Sequence, residues 1–324
     1  MRKLVLIIGP RGPLEPGGFS RMNEMLQLSV NLRDLRVLSH NACVRSTATG
    51  GKRCNDWQLG SYTFKLSTFV NSYFNPQDLA IFLEAQPMIK TLMITNSARQ
   101  IIQLKACPGL ENLSCSYKEL MKLPPALKGK LKRLQVIMPE FMHIWDDVLG
   151  HVRSLFQETL KYLSVDVNPA CKCGGYNIRR IIRKVAVFLP DIRFLEIIGN
   201  AAQGTMYSTA QPHQPESNFT DLNTLIVHPS VFRLHSAGFY LVMTEWIVLK
   251  KDEKRFPMAR KIMGSIPTLK HLILTEENMG YGFKRTEGDD VEEEIRAWTP
   301  IGLPLDSLIA SDAFDAAEWL HAVI

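Results

Sequence analysis

Two short clusters carry the residue types that catalysis or metal binding requires. His143-Ile-Trp-Asp146-Asp147 sets an imidazole beside two carboxylates, the parts of a general acid–base pair. Cys171-Lys-Cys173 brings two thiols together, the beginning of a zinc site. Neither is completed. No nucleophile accompanies His143, and its spacing reads as a loop or helix cap. No second cysteine pair or histidine cluster supplies the remaining zinc ligands, so no metal is expected. The chain has no phosphate loop, dinucleotide fingerprint, nucleophile elbow or His-Glu-x-x-His helix. It is therefore read as a non-enzyme without a cofactor.

What the chain does offer is side chains suited to holding another macromolecule, and a repeat decides where they stand. Pro87-Met-Ile89-Lys-Thr-Leu92-Met-Ile94 recurs as Pro108-Gly-Leu110-Glu-Asn-Leu113-Ser-Cys115, Pro190-Asp-Ile192-Arg-Phe-Leu195-Glu-Ile197 and Pro267-Thr-Leu269-Lys-His-Leu272-Ile-Leu274. Without its proline the phrase returns at Leu32/Leu35/Val37, Leu131/Leu134/Val136, Leu160/Leu163/Val165 and Leu222/Leu225/Val227, and Met1/Leu4/Leu6 fits the same frame. A further strand is expected between Tyr62 and Phe69. Gaps of 21, 21, 29, 32 and 30 residues between first positions 89 and 222 bracket the leucine-rich-repeat period. Asn168 and Asn200 complete the longer consensus, where an asparagine can satisfy backbone of the adjoining turn.

Between phrases the pattern turns helical. Asn75-Pro76 reads as cap and first-turn proline, with Leu79, Phe82 and Leu83 as the buried stripe. Helices are also expected over 146–158, 177–189 and 258–266, each ending where a proline or turn redirects the chain. The strand slots alternate apolar with Lys, Arg, Glu and Thr, which implies that one face of the sheet is open. The expected fold is an α/β leucine-rich-repeat solenoid, a horseshoe with parallel strands on the concave face and helices on the convex face. It runs over residues 1–300, with 301–324 as a C-terminal cap segment.

In this frame the leucines face the core and the residues flanking them face outward. The candidate partner-binding residues are Met93, Arg133, Gln135, Ile137, Tyr162, Ser164, Asp166, Phe194, Glu196, Ile198, Ile226 and His271. Aromatics and Met beside Arg are the types that anchor interfaces. The contrary reading is that these are ordinary strand-surface residues, some covered by the long segments 40–61 and 200–218.

Composition limits the alternatives. The 324 residues are 46% hydrophobic, ordinary for a folded protein. The apolar run Leu4–Ile8 is too short for a signal peptide, and Phe239–Leu249 is too short for a bilayer span and reads as a buried helix. The six cysteines show no disulfide framework, and Cys107 and Cys115 fall at apolar repeat positions, which suits a cytoplasmic or nuclear protein. Residues 1–275 hold 35 Lys+Arg against 20 Asp+Glu, a net of +15, whereas 276–324 hold 3 against 12, a net of −9. Arg179-Arg180 with Arg183-Lys184 reads as the solvated face of a helix. Nucleic acid is not the expected partner, because no basic run is interleaved with aromatics.

The repeated phrase, the opening Met1-Arg-Lys-Leu-Val-Leu and the helix followed by Gln86-Pro87 resemble the leucine-rich-repeat region of fungal F-box proteins. The resemblance implies a repeat region that recruits a protein substrate to a ubiquitin ligase, with an F-box upstream docking on the Skp adaptor. Here the first repeat-like strand begins at residue 1, so the chain is expected to be a fragment or an F-box-less relative. A Skp partner is expected only if an F-box lies upstream. The other class of function is a basic repeat protein that binds nucleic acid or another acidic polymer.

Overall fold

In the computed structural model of the chain, the described residues are 1–8, 18–39, 59–60, 62–71, 73–74, 76–94, 107–139, 141–167, 178–199, 218–229, 252–276, 279–286 and 291–296. They fall in two compact units, Met1–Leu131 and Lys132–Ile301. Each is α/β with strands in chain order in an open sheet.

The first unit runs β1 (Lys3–Ile8), α1 (Gly18–Leu28), β2 (Asp34–Ser39), β3 (Thr68–Asn71), α2 (Pro76–Glu84), β4 (Thr91–Ile94), β5 (Asn112–Ser116) and α3 (Tyr117–Leu120), then a single 3₁₀ turn at Pro125–Leu127. Neighbouring strands are parallel, and their register places Leu4, Leu35, Phe69, Leu92 and Leu113 in one row. The second unit runs β6 (Arg133–Met138), α4 (Ile144–Phe156), β7 (Tyr162–Val167), α5 (Ile178–Phe188), β8 (Phe194–Gly199), β9 (Thr224–Pro229), α6 (Asp252–Ser265), β10 (His271–Glu276), β11 (Met279–Arg285) and β12 (Val291–Arg296). From β6 to β10 the strands are parallel, with Leu134, Leu163, Leu195, Leu225 and Leu272 in register.

Those two leucine rows form the cores of their units. Leu92, Leu113, Leu134, Leu163, Leu195, Leu225 and Leu272 are each 0% exposed. Helices cover the same face, since the ring of Phe82 on α2 lies 5.0 Å from that of Phe69 in the row. In the second unit Phe256 of α6 lies 6.3 Å from Phe283, which pairs with Leu272. Phe82, Trp145, Val148, Leu149, Val152, Phe156, Ile181 and Val185 complete the apolar layer. The helices and strands of each unit thus bury their apolar stripes against one another.

The other expected strands are present at their expected positions, whereas the strand foreseen between Tyr62 and Phe69 forms later, at Thr68–Asn71, and shares only Thr68 and Phe69 with that range. Three features depart from expectation. α6 begins at Asp252 and passes through Pro257, whose missing N–H removes one helical hydrogen bond without ending the helix. β11 runs antiparallel to β10 and β12 antiparallel to β11, where the repeat pattern had placed no strand. Their register sets Lys284 opposite Glu292 and Phe283 opposite Glu293.

The third departure matters most. In the second unit the second face of the sheet is mostly covered, since Gln135, Tyr162, Ser164, Asp166, Glu196, Ile198 and Ile226 are all buried, and Met93 is buried in the first. Only Arg133, Ile137, Phe194 and His271 of the candidate residues keep part of their surface. Alternation of polar and apolar residues marks two faces but cannot say whether the polar one is covered. The candidate cover at 40–58 and 200–217, the helix expected over 239–249, Asn168, Asn200, the Cys171/Cys173 pair and the cap over 301–324 lie outside the described residues.

Candidate partner-binding row

Register alone groups most of the candidate residues. Arg133, Tyr162, Phe194, Thr224 and His271 share one row across β6 to β10. Two residues further along the strands come Gln135, Ser164, Glu196 and Ile226, and beyond them Ile137, Asp166 and Ile198. Side chains two apart on a strand share a face, so the three rows make one surface in the second unit. Met93 belongs to the first unit, in register with Val70 and Ser114.

The centre of this surface is a ring pair joined to a carboxylate. Tyr162 and Phe194 stack with ring centroids 4.4 Å apart and planes at 26°. The Tyr162 hydroxyl donates to Glu196 Oε2 at 2.6 Å, and Glu196 is 1% exposed. Burial pushes the Tyr162 phenol well above its ordinary value, and the negative Glu196 beside it acts in the same direction. Arg133, one strand away in register, and Ser164 act weakly the other way. A carboxylate removed from water needs donors, and the phenol supplies one.

The buried polar groups are only partly matched. Gln135 Oε1 and Ser164 Oγ are shut off from solvent and accept no well-formed hydrogen bond. Both stand in the row of Glu196, so acceptor capacity collects at one place. Around this polar centre Phe194, Arg133 and Ile137 keep surface available for contact. The arrangement has the composition of an interface anchor: stacked aromatics, an arginine beside them and an apolar margin.

Several residues that hold the rows in place carry no motif in the sequence. Buried Gln86 accepts from Leu66 N at 2.8 Å and donates to Phe64 O at 3.1 Å, satisfying the backbone that leads into β3. Asn71 takes an apolar slot in its row yet is wholly buried, because Nδ2 donates to Phe74 O at 2.9 Å and Oδ1 accepts from Phe74 N at 2.8 Å. Glu119 reaches back to Ser116 N at 2.9 Å, capping α3, and burial raises its pKa. Arg285 of β11 donates to the carbonyl of Met263 in the last turn of α6 and to those of Ile266 and Leu269 beyond it, where a cation also suits the helix dipole. A polar residue bracketed by turn residues is the one available sequence signal for Gln86 and Asn71.

The His143 cluster resolves into a helix start. His143 precedes α4, and Asp146 and Asp147 occupy its first turn, where negative charge is favoured. Asp146 pairs with Lys184 of α5, which joins the two helices. Cys107 and Cys115 are buried thiols, and burial lifts Cys107 to about 11. Among the described residues no group of three or more His, Cys, Asp or Glu could hold a metal, and no helix is long and apolar enough to cross a membrane.

Fold and site together define a mostly parallel, open-sheet α/β protein with stacked strands in chain order and an aromatic, arginine-flanked row on one of its units. No known protein family, no curated protein and no solved structure matches this chain.

Proposed function

We propose that the chain is a leucine-rich-repeat scaffold that binds another protein through the Arg133–Tyr162–Phe194 row, and that it performs no catalysis. The observation that carries the reading is the stacking of Tyr162 on Phe194 in register with Arg133, with Phe194 and Arg133 still partly exposed. Rigid aromatics held by a buried hydrogen bond lose little entropy on binding, which is what an anchor residue requires. The resemblance of the repeated phrase to fungal F-box proteins supports a narrower form of the proposal, in which the bound protein is a ubiquitin-ligase substrate. On that form the working compartment is the cytoplasm or nucleus.

Once a partner is in hand, Phe194→Ala tests the reading. It should weaken partner affinity by ~1–2 kcal/mol or more while leaving thermal unfolding in place, as expected of an anchor. Replacing Arg179 and Arg180 on α5 should change affinity little. Loss of binding on replacing the arginine pair, with Phe194→Ala silent, would transfer the function to the helical side and favour an acidic polymer as ligand.

A further inference from the structure

The fold assembles a line of cations that no stretch of sequence contains. The residue just before each strand of the second unit hydrogen-bonds to the one before the next strand. Lys161 N donates to Lys132 O, Arg193 N to Lys161 O, Asn223 N to Arg193 O and Lys270 N to Asn223 O, each at 2.9 Å. Lys132, Lys161, Arg193 and Lys270 therefore occupy four of five successive rungs, and none of the rungs is acidic. Adjacent strands lie ~4.8 Å apart, so the cations span roughly 20 Å along the edge where the strands begin.

Turn positions need only be polar. The corresponding rungs of the first unit read Arg2, Arg33, Ser67, Lys90 and Glu111, with Lys90 paired to Glu111 at 3.4 Å. The second unit departs from that mixture toward uniform positive charge. Lys132, Arg193 and Lys270 are exposed and Lys161 is half-exposed. Arg193 shares its charge with Asp221 at 2.8 Å, but that pair lies open to water and holds weakly. The next residue along each strand is Arg133, Tyr162, Phe194, Thr224 or His271, so the cations border the candidate anchor row.

An extended acidic peptide fits both features, with carboxylates on the cations and an apolar side chain on Phe194. A nucleic acid fits less well, because base stacking calls for successive open ring faces. Tyr162 is only 4% exposed and spends one ring face on Phe194. We infer that the edge formed by Lys132, Lys161, Arg193 and Lys270 docks an acidic segment of the protein partner. This rests on the protein-binding reading and names the chemistry of the partner.

The experiment uses the full chain and a short fluorescent Asp/Glu-rich peptide with one central Leu. Controls are its Asn/Gln counterpart and a single-stranded oligonucleotide of equal net charge. The acidic peptide should bind at least about tenfold more tightly than either control, a difference of ~1.4 kcal/mol. Zero-length carbodiimide coupling should join its carboxylates to Lys132, Lys161 and Lys270 rather than to Lys118 or Lys122. The triple variant Lys132→Ser, Lys161→Ser, Arg193→Ser should lose that preference with thermal unfolding unchanged. Tighter binding of the oligonucleotide, equal binding of the Asn/Gln peptide, or coupling confined to other lysines would overturn the inference. The coupling sites are read on the unaltered protein, so a misfolded variant does not blunt the test. These outcomes are separate from the Phe194→Ala result, which judges the protein-binding reading itself.

Discussion

Among single residues, Tyr162 ties the stacked pair to the buried carboxylate through its hydroxyl. Tyr162→Phe keeps the stack on Phe194 but leaves buried Glu196 with one donor fewer, and should cost ~1–3 kcal/mol of stability in denaturant titration. Unfolding free energies of Tyr162→Phe equal to those of the unaltered protein would show that the bond contributes nothing. The same phenol sets an alkaline limit. Its folded-state pKa lies above the ordinary 10.0, so the folded state holds the proton more tightly than the unfolded chain does. Stability is then fully present below about pH 10 and falls as pH rises toward the folded value. Cys107 adds a drop in the same direction between 9.0 and about 11. Urea midpoints measured across that range should decline, and Cys107→Ala should remove part of the decline above pH 9.0. The stack itself was legible in the sequence, because Tyr162 and Phe194 hold the same offset from Leu163 and Leu195. Their partner Glu196 was legible as a neighbour but not as a buried hydrogen-bond acceptor, since burial of a polar face leaves no trace in alternation.

At the scale of the element, the leucine spacing foretold the strands because a one-residue slip would expose every leucine at once. Leu163→Ala should cost ~2–5 kcal/mol, as expected for a fully buried leucine at the middle of its row. A change under ~0.5 kcal/mol by thermal or chemical unfolding would contradict the packing. Gln86→Ala should be comparably damaging for a different reason: it strands the Leu66 N–H and the Phe64 carbonyl, at ~1–3 kcal/mol for each unmet group. Gln86→Glu should restore the acceptor to Leu66 but not the donor to Phe64, and so fall between the two. Such polar staples were not legible, because glutamine before proline looks like any turn. The antiparallel pair β11 and β12 was missed for a related reason. Gly280, Gly282 and a run of glutamates have low strand propensity, and pairing across the register outweighs it.

Across the whole chain, the fold converts scattered residues into lines: leucines into the core of each unit, Tyr162 and Phe194 into a stacked pair and pre-strand cations into a charged edge. The first two were visible in one dimension, since the leucines and the aromatics flanking them recur at fixed offsets, whereas the cations stand 29, 32 and 77 residues apart and belong to no single stretch. Binding of a protein on the Tyr162–Phe194 row can be read by cross-linking from the row itself. The direct measurement places a photo-reactive benzoylphenylalanine at position 194 and, in a second protein, at position 180 on α5, then irradiates each in extract of the source cells. A discrete protein adduct is expected from position 194, absent from position 180 and lost on adding Arg133→Ala. Adducts to nucleic acid, or the same proteins from both positions, would contradict it.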